Sequence, residues 1–284
     1  MRSSTLAARA WRHPSFVIGA LLTALLAGAA LLSLLWQPYP PAEIDIPAKL
    51  QPPTLAHWLG TDMLGRDLFS QLLVGAQNSI VVGVIAVGIG LVVGVAAGCL
   101  AAASRFNGRG WVEELVMRAS DFTFAFPALL SAIMLTAIYG PGLVMSIVAI
   151  GIFNIPVFAR ITRASANAVW ARDFVTAARA AGKGPLAITL DHVLPNIASP
   201  LIVQATISFA TAILAEAALS YLGLGTQPPQ PSWGRMLNEA QSMMFQAPLL
   251  AVYPGLAIML SVLGLNLMGD GLRDLMDPKL ARQR

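Results

Sequence analysis

Charged side chains are scarce. They make up 11% of the 284 residues, while 56% are hydrophobic, and a soluble domain usually carries roughly 25% charge. A soluble fold this apolar would expose large patches, whereas lipid accepts such side chains if every backbone polar group is satisfied inside helices or a closed barrel. The single cysteine, Cys99, lies in an apolar run, which excludes a disulfide framework and a cysteine-based metal site. The three histidines, His13, His57 and His192, fall in three separate segments, and no cluster of His, Met or Cys along a span argues for metal handling. There is no G-x-x-x-x-G-K-[ST] loop and no paired acid and base, so no catalytic residue and no metal ligand is assigned, and the chain cannot hydrolyse ATP itself. Gly88, Gly90 and Gly94 give G-x-G-x-x-x-G, one residue too long for a dinucleotide loop and without a preceding strand.

What the chain has is long runs rich in Ala, Leu, Val and Gly, a helical signature rather than the alternation of a membrane barrel. Pro14 to Trp36 gives roughly 35 Å of helix against a hydrocarbon core of about 30 Å. Comparable runs follow at about Ser79 to Ala103, Arg118 to Ala137, Gly142 to Ile161, Ile197 to Leu224 and Pro248 to Met268. The expectation is an all-α integral membrane protein with six transmembrane helices. The first run exceeds the usual h-region of a signal peptide and ends in an interfacial Trp36, so it reads as a retained span. Gly90, Gly94 and Gly98 recur every fourth residue on one face, where a neighbouring backbone can approach closely.

The Lys and Arg residues set an orientation. The N-terminal tail, the turn from Ser104 to Asp121, the loop from Arg160 to Pro195 and the C-terminal tail hold 3, 3, 5 and 4 of them, against Lys49, Arg66 and Arg235 on the other side. By the positive-inside rule both termini are expected in the cytosol. The basic residues are scattered between apolar runs rather than gathered on one domain, so nucleic acid is not an expected partner. The organisation reads as a tail and first span (1–36), an external segment (37–78), and a five-helix core (79–284) that includes the cytosolic loop 160–195.

That loop reads as two short helices. Asp173 is placed to cap the first, whose expected apolar face is Phe174, Ala177, Ala178 and Ala181, with Arg172 and Arg179 elsewhere. Gly182 suits the residue after the helix end, Gly184 breaks the chain, and Pro185 suits the first turn of the next helix. The second face is Leu186, Leu190, Val193 and Leu194, and Pro195 is expected to punctuate the return to the membrane. A DNA-binding helix-turn-helix is the rival reading. About 36 residues held between two spans leave it no third helix and no evident dimer partner.

The pattern Thr176-Ala177-Ala178, three residues, Gly182, nine residues, His192-Val193-Leu194-Pro195 resembles the EAA loop of bacterial ABC importer permeases, E-A-A-x3-G-x9-I-x-L-P. Thr176 stands where Glu is usual. His192 stands where Ile is usual, as in the peptide and nickel branch. Three more segments resemble that branch, the dipeptide, oligopeptide and nickel permeases, and specifically the second of their two permease subunits. They are His57 to Ser70 (H-x-L-G-T-D-x-x-G-R-D-x-x-S), Leu222 to Pro229 with Ser232-Trp233-Gly234, and Asn266 to Asp274 with Asp277-Pro278.

The resemblance implies the type I ABC importer permease fold in a bacterial inner membrane. It implies a homologous permease subunit as heterodimer partner, two cytosolic ATPase subunits or domains that bind the ATP and Mg, and an external solute-binding protein. It also implies that the 160–195 loop is a coupling-helix hairpin fitted to an ATPase cleft. Its candidate residues are Arg172, Thr176, Ala177, Ala178, Arg179, Gly182, Lys183, Leu194 and Pro195. No cofactor is expected in this chain. Peptides are the expected cargo, with nickel or a metal chelate as the alternative. An ion-coupled secondary transporter is the rival of another class, but one mid-span carboxylate and no evident repeat fit it poorly.

Two sets of polar residues complete the reading. Gly60, Thr61, Asp62, Gly65, Arg66 and Asp67 form an external signature, read either as a stiff cap over the spans or as a contact for the binding protein. Asp62 and Asp67 lack the further ligands a metal would need. Asn154, Gln204, Ser208 and Glu216 are the candidate pathway-lining residues. Glu216 at mid-depth would cost on the order of 2.5 to 3.5 kcal/mol facing lipid, and it is read either as lining a path or as tying helices together. Asn154 is placed to compensate backbone groups freed by Pro156.

Overall fold

The computed structural model describes residues 10, 11 and 13–276. Arg2, Arg9 and Arg12 of the N-terminal tail, Asp277-Pro278 and the cations beyond them lie outside the described residues. Within them the chain is helical, with one isolated antiparallel bridge between Thr61 and Asp67. The helices are α1 (Pro14–Leu35), α2 (Leu68–Phe106), α3 (Gly110–Ala125), α4 (Ala128–Tyr139), α5 (Leu143–Trp170), α6 (Asp173–Ala180), α7 (Pro185–Tyr221), α8 (Trp233–Ala240) and α9 (Leu249–Met276). Five of these, α1, α2, α5, α7 and α9, are long and apolar enough to cross a membrane; α3 and α4 make a sixth only as a pair bent by 82°.

The bend breaks the third run, expected from Arg118 to Ala137, into two helices. Phe126 has φ −95° and ψ 131°, and Pro127 has φ −58° and ψ 123°. A proline ring pushes the residue before it out of the helical region and offers no N–H to the preceding turn. The second span also starts earlier than Ser79. The Asp67 carboxylate accepts from the Ser70 N–H at 2.8 Å, an N-cap that begins α2 at Leu68. At 39 residues α2 is about 58 Å long, nearly twice the hydrocarbon thickness, so its ends project beyond the core.

The glycine stripe of α2 lies against α5. A Cβ on Gly94 would sit 2.5 Å from the Ile155 carbonyl oxygen, one on Gly98 would sit 2.5 Å from that of Ala159, and one on Gly90 would strike Asn154. The same device joins α1 to α9, where Gly19 meets the Leu267–Met268 backbone and Gly264 meets Leu22. Lipid supplies no hydrophobic drive for helix association, so this backbone proximity and its van der Waals contact hold the pairs.

Two apolar cores result. One gathers Leu26, Leu68, Trp233, Leu250 and Leu265. The other runs from Val82 through Phe158 to Val175, Ile188 and Val193, and so carries packing from the membrane helices into the hairpin between α5 and α7. We call that the hairpin end; Asp62 to Asp67 lie at the opposite, motif end.

Candidate functional site

At the hairpin end, α5 stops at Trp170 and the chain turns through Arg172, which has extended ψ of 149° and no side-chain cap. Asp173 is the first helical residue rather than the cap, placed to favour the positive end of the helix dipole. The buried face of α6 also differs from expectation. Val175 is fully buried and Ala178 half-buried, while Phe174, Ala177 and Ala181 are exposed. A single turn of contact decides the matter, and the branched Val175 fills it better than a set of alanines.

Gly182 adopts φ +83°, in the left-handed region that glycine occupies without strain. Its N–H donates to the Arg179 carbonyl at 2.9 Å, and the Lys183 N–H donates to that of Ala178 at 3.1 Å, which closes the end of α6. The Lys183 ammonium then reaches Asp191 at 2.9 Å and His192 at 3.4 Å. Phe174 meets the His192 ring edge-on at 6.0 Å. The second short helix does not end at Pro195. It runs from Pro185 into the fifth span as one 37-residue helix with a π turn at Thr189–Val193. That wider turn lets Leu194 donate to Thr189 and resets the ladder just before Pro195, whose missing N–H would otherwise interrupt it.

The expected apolar face of this second helix is split. Val193 is in the core and Leu194 half-buried, but Leu186 and Leu190 are 73% and 54% exposed and line an apolar cleft of about 860 Å³ with Val95, Cys99 and Leu201. Of the nine candidate coupling residues, Arg172, Thr176, Ala177, Arg179, Gly182, Lys183 and Pro195 are exposed, and Ala178 and Leu194 are half-buried.

At the motif end the six signature residues are all buried within the chain. Gly60 and Gly65 have φ +82° and +78°, and a Cβ on either would strike backbone, of Gln51 and Asp45 respectively. Thr61 donates from its hydroxyl to the Ala48 carbonyl at 2.5 Å. Asp62 pairs with the Arg66 guanidinium at 2.6 Å and accepts from Gln71 at 2.9 Å. Asp67 accepts from Ser70 and lies 3.0 Å from His57. Arg66 also bridges to Glu239 of α8, which in turn holds Arg235 at 2.9 Å. Burial works against the Arg66 charge, but Asp62 and Glu239 outweigh it and hold the guanidinium above its ordinary value.

Sequence reading missed Glu239, which lies 173 positions from Arg66. The signal available was local: Ser232 capping a run with Trp233, Met236 and Ala240 on one buried face. Trp233 Nε1 donates to the Leu72 carbonyl at 3.0 Å, and Asn78 donates to that of Pro231 at 2.7 Å, so α8 is stitched to the start of α2. Arg66→Ala is expected to remove the shared cation from the buried Asp62 and the part-exposed Glu239, which keep Gln71 and Arg235 respectively, and to cost about 2–3 kcal/mol. Thermal unfolding of the purified protein in detergent measures this, with Arg66→Lys recovering part of the loss; an unchanged midpoint for the alanine variant would show the network idle.

The four pathway candidates do not form one lining. Gln204 donates to the Ser208 hydroxyl at 3.2 Å, so that pair shares a stripe, but Ser208 is buried. Glu216 is 0% exposed and lies near the end of α7 rather than at mid-depth. It accepts from the Ser220 hydroxyl at 2.6 Å and the Thr226 hydroxyl at 3.3 Å, an arrangement that ties the end of α7 to the following turn. Asn154 donates to the Ile150 carbonyl at 3.0 Å, which lies one turn before its own position and is not the acceptor that Pro156 frees. Asn154 alone of the four lines the cleft of about 580 Å³ at the α3–α4 elbow, with Phe124, Phe126, Phe153, Thr211 and Leu214. The α3 side of that elbow is tied to α5: Arg163 reaches Glu113 at 2.6 Å, and Arg160 bridges to Asp121 and stands 4.4 Å over the Phe124 ring.

Residues 94–282 match the family described as binding-protein-dependent transport system inner membrane component. The chain belongs to that family. It is an ABC importer permease, a transport subunit of the inner membrane that works with a binding protein and an ATPase. The permease is 46% identical over 228 residues to the glutathione transport system permease protein GsiD of Escherichia coli O6:K15:H31 (strain 536 / UPEC), covering 80% of this chain and 74% of that protein. It is 44% identical over 239 residues to the dipeptide transport system permease protein DppC of Alkalihalophilus pseudofirmus, covering 84% and 77%. Its fold matches a chain of the MetNI methionine ABC transporter solved in inward-facing conformations, with a TM-score of 0.61 at 19% identity, over 73% of the permease and 97% of that chain. The permease therefore has the type I importer fold expected from its loop motif.

Proposed function

We propose that this permease forms half of a path for peptides, di- or oligopeptides, beside a homologous permease subunit. Two cytosolic ATPase subunits drive it, holding the ATP and Mg, and both of its termini lie in the cytosol. The cargo rests on two relatives whose names specify a dipeptide and glutathione. The coupling rests on one structural observation: Val175, Ile188 and Val193 of the hairpin belong to the same packed core as Phe158 of α5. A hairpin embedded in that core passes displacement to the spans instead of absorbing it. The ion pairs from Arg160 and Arg163 extend the linkage to α3 and so to the elbow beside the 580 Å³ cleft. Nickel as cargo has less support, since no His, Cys, Met, Asp or Glu lines that cleft. The buried network of the signature supports its reading as a stiff cap, which fixes the outer rim.

The test is uptake by proteoliposomes holding both permease subunits, the ATPases and the binding protein. Labelled dipeptide should accumulate only with ATP and Mg inside and should persist when ion gradients are collapsed. Uptake that survives ATP removal but fails with the gradient would sink the reading.

A further inference from the structure

The cations at the hairpin end fall into two groups. Arg105, Arg118, Arg160, Arg163 and Lys183 each lie within 3.6 Å of a carboxylate. Among the described residues Arg109, Arg172, Arg179 and Arg273 have no such partner and are exposed, and of these Arg172 and Arg179 belong to the hairpin. Thr176 and Arg179 stand on one stripe of α6 next to the buried Val175 and Ala178, and Arg172 is the N-cap residue four positions before Thr176. Arg179 spends one N–H on the Phe106 carbonyl at 3.3 Å, which steadies its side chain and leaves the rest of the fork open. A carboxylate at position 176 would pair with both arginines; the Thr176 hydroxyl leaves their charge unneutralised. Asp173, the acidic residue of α6, forms no ion pair with Arg172 or Arg179. Beside the stripe lie the small Ala177 and the exposed Phe174.

We propose that this stripe seats against an acidic cleft on the nucleotide-hydrolysing partner, with carboxylates of that cleft taking Arg172 and Arg179 while Phe174 fills its apolar floor. This rests on the coupling role proposed above and adds the sign of the charge that the partner must present. Anionic lipid headgroups are the other source of negative charge. They are the poorer fit, because lipid-binding segments gather about 4–8 cations or set a long apolar face beside them, and α6 with its N-cap residue is nine residues carrying two arginines and exposed alanines.

The experiment uses the assembled permease pair in phosphatidylcholine nanodiscs and measures binding of the detached ATPase at low and high salt. Arg172→Glu with Arg179→Glu should weaken association about tenfold or more and flatten its salt dependence. Thr176→Glu should weaken it in the same direction by neutralising the stripe from within. Unchanged binding of the double variant, or tighter binding of Thr176→Glu, would overturn the proposal, as would a loss seen only in discs containing phosphatidylglycerol. Cross-linking from Ala177→Cys to the ATPase separates the two levels of reading. A cross-link that forms equally well with the double charge reversal overturns the acidic cleft and leaves the coupling role intact. No cross-link in the otherwise unaltered permease overturns both.

Discussion

Gly94→Leu is expected to abolish the folded permease, whereas Gly88→Leu in the same helix is expected to leave it assembled. A Cβ at position 94 would come within 2.5 Å of the Ile155 carbonyl, 2.7 Å of the Phe158 Cβ and 3.1 Å of the Ala159 nitrogen. Two of those atoms are backbone, so no rotamer change relieves the contact and α2 must move away from α5. Phe158 is fully buried in the core that reaches the hairpin, so the displacement is not confined to one turn. Overpacking by even one methyl costs about 1–3 kcal/mol in a close-packed interior, and an isobutyl group exceeds what such a seam can absorb. At Gly88 a Cβ meets nothing within 4 Å. The two variants change hydrophobicity and helix propensity alike, so the difference between them isolates the seam. Yield of monodisperse protein in size-exclusion chromatography reads it directly. Equal yields would show that the close approach of α2 and α5 is not what holds the bundle.

Much of this architecture was legible because lipid forces a simple code. Apolar length marks each crossing, and glycines four apart mark a seam, as Gly90, Gly94 and Gly98 do. The Gly-Lys-Gly-Pro break was legible too, since a left-handed turn and a helix-starting proline are local properties of the chain. The departures have physical causes of other kinds. The elbow at Phe126-Pro127 hides inside a run whose averaged hydropathy is unbroken, and only proline sterics disclose it. The start of α2 at Asp67 was obscured because Gln71 and Asn78 make its first turns polar, although Asp67 and Ser70 carry the cap.

The inward turn of the 60–67 signature depends on Glu239 and on α8, and nothing near Arg66 in the chain announces a partner so distant. Exposed charge is the usual condition for such residues, so the sequence leaves a cap and an outward contact equally open until the partner is found. The four pathway candidates failed to converge for a related reason: polarity inside a span marks a group that must be satisfied, and a neighbouring hydroxyl satisfies it as well as a pore does. Glu216 is that case for one of its oxygens: Oε1 accepts from Ser220 and Thr226, while Oε2 is buried without a partner among the described residues.

Gly182→Val is expected to separate ATP hydrolysis from uptake while membrane insertion and assembly remain intact. Nothing lies within 4 Å of a Cβ at this position, so the effect is not a clash. It is backbone strain: at φ +83° an L side chain costs roughly 1–2 kcal/mol, with a β-branched one at the upper end. That penalty shifts the hairpin away from its closed geometry by about 5- to 30-fold, releasing the Gly182 and Lys183 N–H bonds to Arg179 and Ala178. Val175 and Ile188 stay anchored in the core, so the spans remain in place while α6 loses its fixed angle to α7. Asparagine tolerates the left-handed region, so Gly182→Asn should keep most of the coupling. Gly184, at φ −72°, accepts alanine without strain and serves as the control. Solute moved per ATP hydrolysed, in the reconstituted importer, should rank Gly184→Ala and the parent highest, Gly182→Asn next and Gly182→Val lowest. If valine and glycine at 182 moved equal solute per ATP, a rigid hairpin would not be the element that carries the stroke.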